Sequence, residues 1–170
     1  MPSYSKQQQV GKEAKDPSEG SKPTKAKVRP ADLLRGILHY YRKQMGDCYM
    51  AVEIGLDQDR RVDALLMRYF KDPIAFEVKL TRADWVTELK DPTKHVPARD
   101  LAGQLYFVAP AGIIDEEELP PGTGLFVVKP FTHQVKKIKA ADKKSPTPID
   151  WATAARIAAG ALRAAEQGIT

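Results

Sequence analysis

The chain predicts an α/β fold, a mixed β-sheet flanked by helices, in the order helix, three strands, helix, strand, hairpin and C-terminal helix. Three observations predict it. An amphipathic stretch precedes a quick succession of apolar, β-prone runs, and a segment with a helix-capping signal separates the third run from the fourth. Short turns among the first three runs suit antiparallel pairing, whereas a helix between the third and fourth suits a parallel crossover.

Pro30 opens the first helix, Ala31 to Lys43, where Leu33, Leu34, Ile37, Leu38 and Tyr41 recur at helical spacing. Gly46 and Asp47 break the chain. Cys48 to Ile54 reads as a strand, Gly55 to Arg60 as a polar turn, and Val62 to Tyr69 and Ile74 to Leu80 as the second and third strands. Thr81 and Asp84 have the spacing of a capping box for a helix running to about Lys90 and stopping near Pro92, with a second short helix from Pro97 to Ala102. Gln104 to Ala109 is a fourth strand. An acidic Pro/Gly loop covers Asp115 to Gly124, and Leu125 to Val128 with Gln134 to Ile138 form a hairpin. Asp150 can cap a final Ala-rich helix from Trp151 to about Gln167.

The 170 residues suffice for one domain and a tail. The expected division is a basic disordered tail over 1–29, an α/β core over 30–140, a linker over 141–149 and the final helix over 150–170. The tail holds seven Lys/Arg against three Asp/Glu, a net of +4, so the rest of the chain carries only +1 of the total +5. Polyanion affinity must then come from the tail or from a local basic face. No apolar run has the length of a membrane span, and no apolar signal core opens the chain, which predicts an intracellular, cytoplasmic protein. A single cysteine, Cys48, excludes an intrachain disulfide and a Cys-cluster zinc site, and reads as a small residue buried at a strand entrance.

Glu77, Val78 and Lys79 carry the functional signal. In a strand, Glu77 and Lys79 share one face about 7 Å apart while Val78 faces the other way. Asp63, on the preceding strand, can approach Glu77 across a hairpin ladder. Three other stretches fit acidic-x-Lys, at Glu13, Glu88 and Asp142, but the first and last lie in polar segments and Glu88 lies in a helix. Two carboxylates and an ammonium on one sheet face suit metal-dependent phosphodiester hydrolysis. Mg²⁺, with Mn²⁺ as substitute, fits a site of few carboxylates completed by waters and phosphate. Asp63 and Glu77 are the expected ligands, with the Val78 carbonyl as a third. Lys79 is expected to orient water or steady phosphate. Burial lowers a lysine pKa and neighbouring carboxylates raise it, so a general-base role stays open. Glu53, on the strand before, is either a further ligand or base, or an outward charge balanced by Arg60 or Arg61. The plain alternative for the trio is a cross-strand salt-bridge cluster on an exposed face.

Arg60, Arg61, Arg82, Lys90, Lys94 and Arg99 can frame a phosphate track, although each alone is also an ordinary solvated charge. Gln104 can donate to phosphate or to a ligating acid, and Tyr106 points the same way. Structural roles fit both as well. Trp85 is more simply core than a base-stacking platform. His39, His95 and His133 have no metal-ligand spacing and read as surface residues.

These motifs resemble the PD-(D/E)xK nuclease superfamily, with Val62 in place of its usual proline. The stretches Arg61-Val62-Asp63, Phe76 to Trp85, Glu88 to Lys94, Leu105 to Pro110, and Leu119-Pro120 before Gly124-Leu125 resemble more narrowly the MmcB-like DNA-repair group and related short actinobacterial and phage proteins. The resemblance spans about residues 32–140. It implies a restriction-endonuclease-like core with Asp63, Glu77 and Lys79 in the catalytic positions and Glu53 as a further upstream acid. It also implies DNA as partner, in a bacterial or phage-infected cell. Members of the superfamily also include domains that kept the fold and lost cleavage. The expected activity is therefore a Mg²⁺-dependent deoxyribonuclease, endo- or exonucleolytic, in DNA repair, recombination or phage DNA processing. The alternatives are a catalytically inactive nucleic-acid-binding module and an RNase on the same fold. An enzyme that cuts both strands can work as a homodimer. The last helix could pack on a partner copy, but the core is its expected place.

Overall fold

The structure, a computed structural model, describes residues 27–57, 60–91 and 93–170. The expected tail lies outside the described residues up to position 26, as do Gln58 and Asp59 of the expected turn and Pro92 at the expected helix stop.

Helix α1 (Pro30–Met45) leads into β1 (Tyr49–Asp57), β2 (Arg60–Arg68) and β3 (Lys71–Val78). Helices α2 (Arg82–Leu89) and α3 (Val96–Ala102) precede β4 (Gln104–Ala109). A 3₁₀ turn (Glu116–Glu118), β5 (Gly124–Lys129), β6 (Gln134–Lys139) and α4 (Trp151–Glu166) complete the order the sequence predicts. The six strands form one mixed sheet in sequence order, β1 to β6. The first three pair antiparallel, β3, β4 and β5 run parallel, and β6 returns antiparallel to β5. The α2–α3 segment supplies the crossover that a parallel β3–β4 pair needs.

Each face of the sheet is covered. On one, Leu33, Leu34, Ile37, Leu38 and Tyr41 of α1 pack on Met50, Leu66, Phe76, Val78, Val108 and Phe126. On the other, Ala98, Leu101 and Ala102 of α3 pack on Val62, Leu65, Ala75 and Leu105, joined by Ile157 and Ala161 of α4. Helix α4 lies against β1, and Gly160 permits the approach, since a Cβ there would stand 2.8 Å from the Val52 carbonyl oxygen. Gly103, at φ 73°, ends α3 in the left-handed conformation that glycine adopts at no steric cost, and β4 starts at the next residue.

The strand alternation decides which groups reach the site. Phe76 and Val78 belong to the α1 face, so Glu77 falls on the face roofed by α2 and α3. One backbone hydrogen bond, Lys79 N–H to the Val108 carbonyl at 2.9 Å, extends the β3–β4 pairing past Val78 and sets Lys79 beside Glu77. This face is not exposed, because Glu77 and Lys79 are each 7% accessible.

Candidate active site

A cavity of about 640 Å³ opens at the carboxyl end of β3, lined by Arg60, Arg61, Asp63, Glu77, Val78 and Lys79 from the strands and by Asp84, Thr87, Glu88, Asp91, Lys94 and His95 from α2 and the chain beyond it. Open α/β sheets place ligands at the carboxyl ends of their strands for a geometric reason: loops there diverge and leave a crevice.

The β2–β3 ladder ends at the Ala64–Phe76 pair, and Asp63 and Glu77 are the next residues of the two strands beyond it. Its Oδ2 accepts a 2.8 Å hydrogen bond from the Val78 N–H, which fixes the carboxylate and leaves Oδ1 for another partner. Glu77 is pushed well above the ordinary carboxylate range, first by burial and then by the Asp63 charge, against which the Lys79 ammonium at 3.8 Å pulls the other way. An acid pair so held gains from a cation, and two carboxylates with room for water and phosphate suit Mg²⁺. Among the described residues no three His, Cys, Asp or Glu side chains are arranged to hold a metal ion, so any cation here draws on Asp63, Glu77, backbone carbonyl and water.

Glu88 is the acid that the reading of the sequence missed as a site residue. It is 3% accessible, and its Oε2 accepts from Lys79 at 2.7 Å and from Lys94 at 2.8 Å. Burial pushes its carboxyl up most, but the hydrogen bonds and charges of Lys79 and Lys94 together bring it below its ordinary value. The bond to Glu88 also raises Lys94. A signal existed: Asp84, Thr87, Glu88 and Asp91 recur at i, i+3, i+4 and i+7, a polar stripe on one helix face. Thr81 caps α2, accepting from the Asp84 N–H at 3.1 Å, and so sets where that stripe begins.

Several expected site residues lie elsewhere. Glu53 adopts φ 53° in the middle of β1, where the ladder passes from Val52–Ala64 to Ile54–Val62. That left-handed step turns it from Asp63 toward α4, where Arg163 donates to its carbonyl at 2.8 Å and the Gln167 amide lies 3.5 Å from its carboxylate. Gln104 shares the face of Tyr106, opposite the cavity, and its amide donates to the Ala141 carbonyl at 3.1 Å. Arg82 is bound by Glu118 and by the Ile113 carbonyl. Arg99 donates to the Pro121 carbonyl, and Lys90 is exposed at the end of α2, outside the cavity lining. Of the basic residues, Arg60, Arg61 and Lys94 reach the cavity, and Arg60 is steadied by the Thr93 carbonyl at 3.0 Å.

His95 is a further correction. It is 6% accessible rather than a surface residue, set edge-on to Phe107 in the cavity wall, and burial lowers its pKa. Trp85 is fully buried against Phe107, its indole N–H donating to Glu118 at 2.8 Å. Hydrogen bonds from Arg82 and Trp85 hold the Glu118 carboxyl down at about 2, so the acidic loop pins the outer side of α2.

No family model matches the chain, and no curated protein matches it. Among solved structures, the SPO1766 protein of unknown function from Silicibacter pomeroyi is similar, with a TM-score of 0.61 and 16% identity over 85% of this chain and 91% of that one. At such identity the likeness concerns the fold alone. Among the described residues no helix is long and apolar enough to cross a membrane.

Proposed function

We propose that the protein is a metal-dependent deoxyribonuclease that hydrolyses phosphodiester bonds in DNA repair, recombination or phage DNA processing, in the cytoplasm of a bacterial or phage-infected cell. The observation that carries this reading is the convergence of Asp63, Glu77 and Lys79 in one cavity at the carboxyl end of β3. Asp63 and Glu77 would hold Mg²⁺ or Mn²⁺, with the Val78 carbonyl as a third ligand, and the ion would supply Lewis acidity and a lowered water pKa. Lys79 presents its ammonium to the attacking water or to a phosphoryl oxygen. Arg60, Arg61 and Lys94 line the same cavity and offer cations to the flanking phosphates. Trp85 and Phe107 pack together in the buried cluster that seats α2, outside the cavity lining.

The test is cleavage of labelled single-stranded, duplex, flapped and branched DNA in Mg²⁺, Mn²⁺ or EDTA, beside Glu77→Ala and Lys79→Ala proteins of verified fold. Metal-dependent cutting that both substitutions abolish supports the nuclease. One observation favours a second reading: the described residues bring no three metal-ligating side chains together. On that reading the cavity, through Arg60, Arg61 and Lys94 in its lining, serves a nucleic-acid-binding module without cleavage. Binding that persists without cutting on every substrate would decide for it, and an RNA competitor that displaces DNA would shift the substrate class.

A further inference from the structure

Glu88 is placed to govern where the site's positive charge sits. Both its ion pairs run through Oε2, while Oε1 is buried without a hydrogen-bond partner. Lys79 stands 2.7 Å from Glu88 but 3.8 Å from Glu77, so its ammonium is drawn toward α2 and off the sheet's own acid pair. Lys94, half exposed at the cavity mouth, is held by the same oxygen. When all five groups are ionised, the Glu88 side carries two ammonium groups on one carboxylate, a net +1. The Asp63–Glu77 side carries −2. Without the Glu88 charge, Lys79 has Glu77 as its closest buried acceptor, and a lysine paired there cancels half of the charge that a divalent cation needs.

We propose that Glu88 is a positioning residue that partitions the cavity. It keeps Lys79 off Asp63 and Glu77, which leaves these two free for a divalent cation, and it couples Lys79 to Lys94 as a two-ammonium grip for the phosphate of the substrate. The inference rests on the nuclease reading. It differs from a ligand role for Glu88, because Glu88 acts through Lys79, and from a purely structural role, because removing Lys79 should undo the effect of removing Glu88.

Mn²⁺ binding to the full chain, measured by titration calorimetry at one pH, tests it with wild type, Glu88→Gln and the double variant Lys79→Met/Glu88→Gln, each checked for fold by near-ultraviolet circular dichroism. Glu88→Gln should weaken Mn²⁺ binding about tenfold, as the loss of an outer-shell partner does. The double variant should regain the wild-type affinity while staying inactive. Unchanged affinity in Glu88→Gln overturns the inference and leaves the nuclease reading standing. Weakened affinity that Lys79→Met does not restore also overturns it, by making Glu88 a ligand or a support of the fold. A wild-type protein that takes up no Mn²⁺ overturns the inference together with the metal-dependent reading.

Discussion

Glu77 and Glu88 line the same cavity, yet their carboxyls are driven in opposite directions. Glu77 is raised by burial and by Asp63, so without a cation, and only between its unfolded and folded values, the native state holds a proton that the unfolded chain releases. Its contribution to stability is complete below the ordinary glutamate value of about 4.3 and is lost as pH rises toward the folded value. Glu88 has the reverse sign: its contribution is present above the ordinary value and is lost as pH falls through the folded one. In EDTA, Glu77→Gln should therefore be more stable than wild type at neutral pH, with a flatter fall of Tm as pH rises above the ordinary carboxylate value. Added Mg²⁺ should raise the Tm of wild type and not of the variant. A thermal-unfolding series across pH reads both effects, and equal slopes for the two proteins would remove the acid-pair repulsion. Glu77 and Lys79 were legible in the sequence because alternation along a strand is a local rule. Glu53 was not, because one left-handed residue inside β1 reverses the alternation and no neighbouring residue type announces it.

At the scale of elements, α2 matters most. It is only eight residues long, buries Trp85 and Glu88, and is held at one end by the Thr81 cap and on its outer side by Glu118. A helix this short is marginal without tertiary support. Thr81→Ala should cost about 1 kcal/mol, the usual loss for an N-cap threonine. The loss is measurable as a shift in denaturant midpoint at constant m-value, and an unchanged midpoint would show that packing of Trp85 alone sets the helix start. The capping box expected from Thr81 and Asp84 forms in one direction, Thr81 accepting from the Asp84 N–H, while the Asp84 side chain turns to the cavity lining. That division was hidden in the sequence, since a residue at the third helical position can reach back to the cap or outward to a ligand at similar cost.

At the scale of the molecule, the sheet is a wall between two cores, and Phe76 is the residue of β3 that anchors the α1 side. Its ring contacts Tyr41, Tyr106 and Phe126 with centroid separations of 6.0, 6.1 and 6.3 Å. Phe76→Ala should cost about 4 kcal/mol, a large part of the roughly 5–15 kcal/mol available to a domain. Chemical denaturation would measure it, and a loss under about 1 kcal/mol would mean that the aromatic cluster collapses around the gap. Because Phe76 and Glu77 are adjacent on opposite faces, the same substitution should loosen the cavity from behind. The element order, the antiparallel triplet, the parallel crossover and the approach of Asp63 to Glu77 in one cavity were all readable from the chain, since each follows from hydrophobic period, turn length and capping within a few residues. What only the tertiary structure decided is which distant groups meet. It roofed Glu77 and Lys79 with α2, brought Lys79 and Lys94 to one carboxylate oxygen of Glu88, buried His95, and sent Arg82, Arg99 and Gln104 to carbonyls and acids elsewhere. The reason is physical: strand and helix periods act over neighbouring residues, whereas the partner of a buried charge is set by how whole elements pack across the sheet.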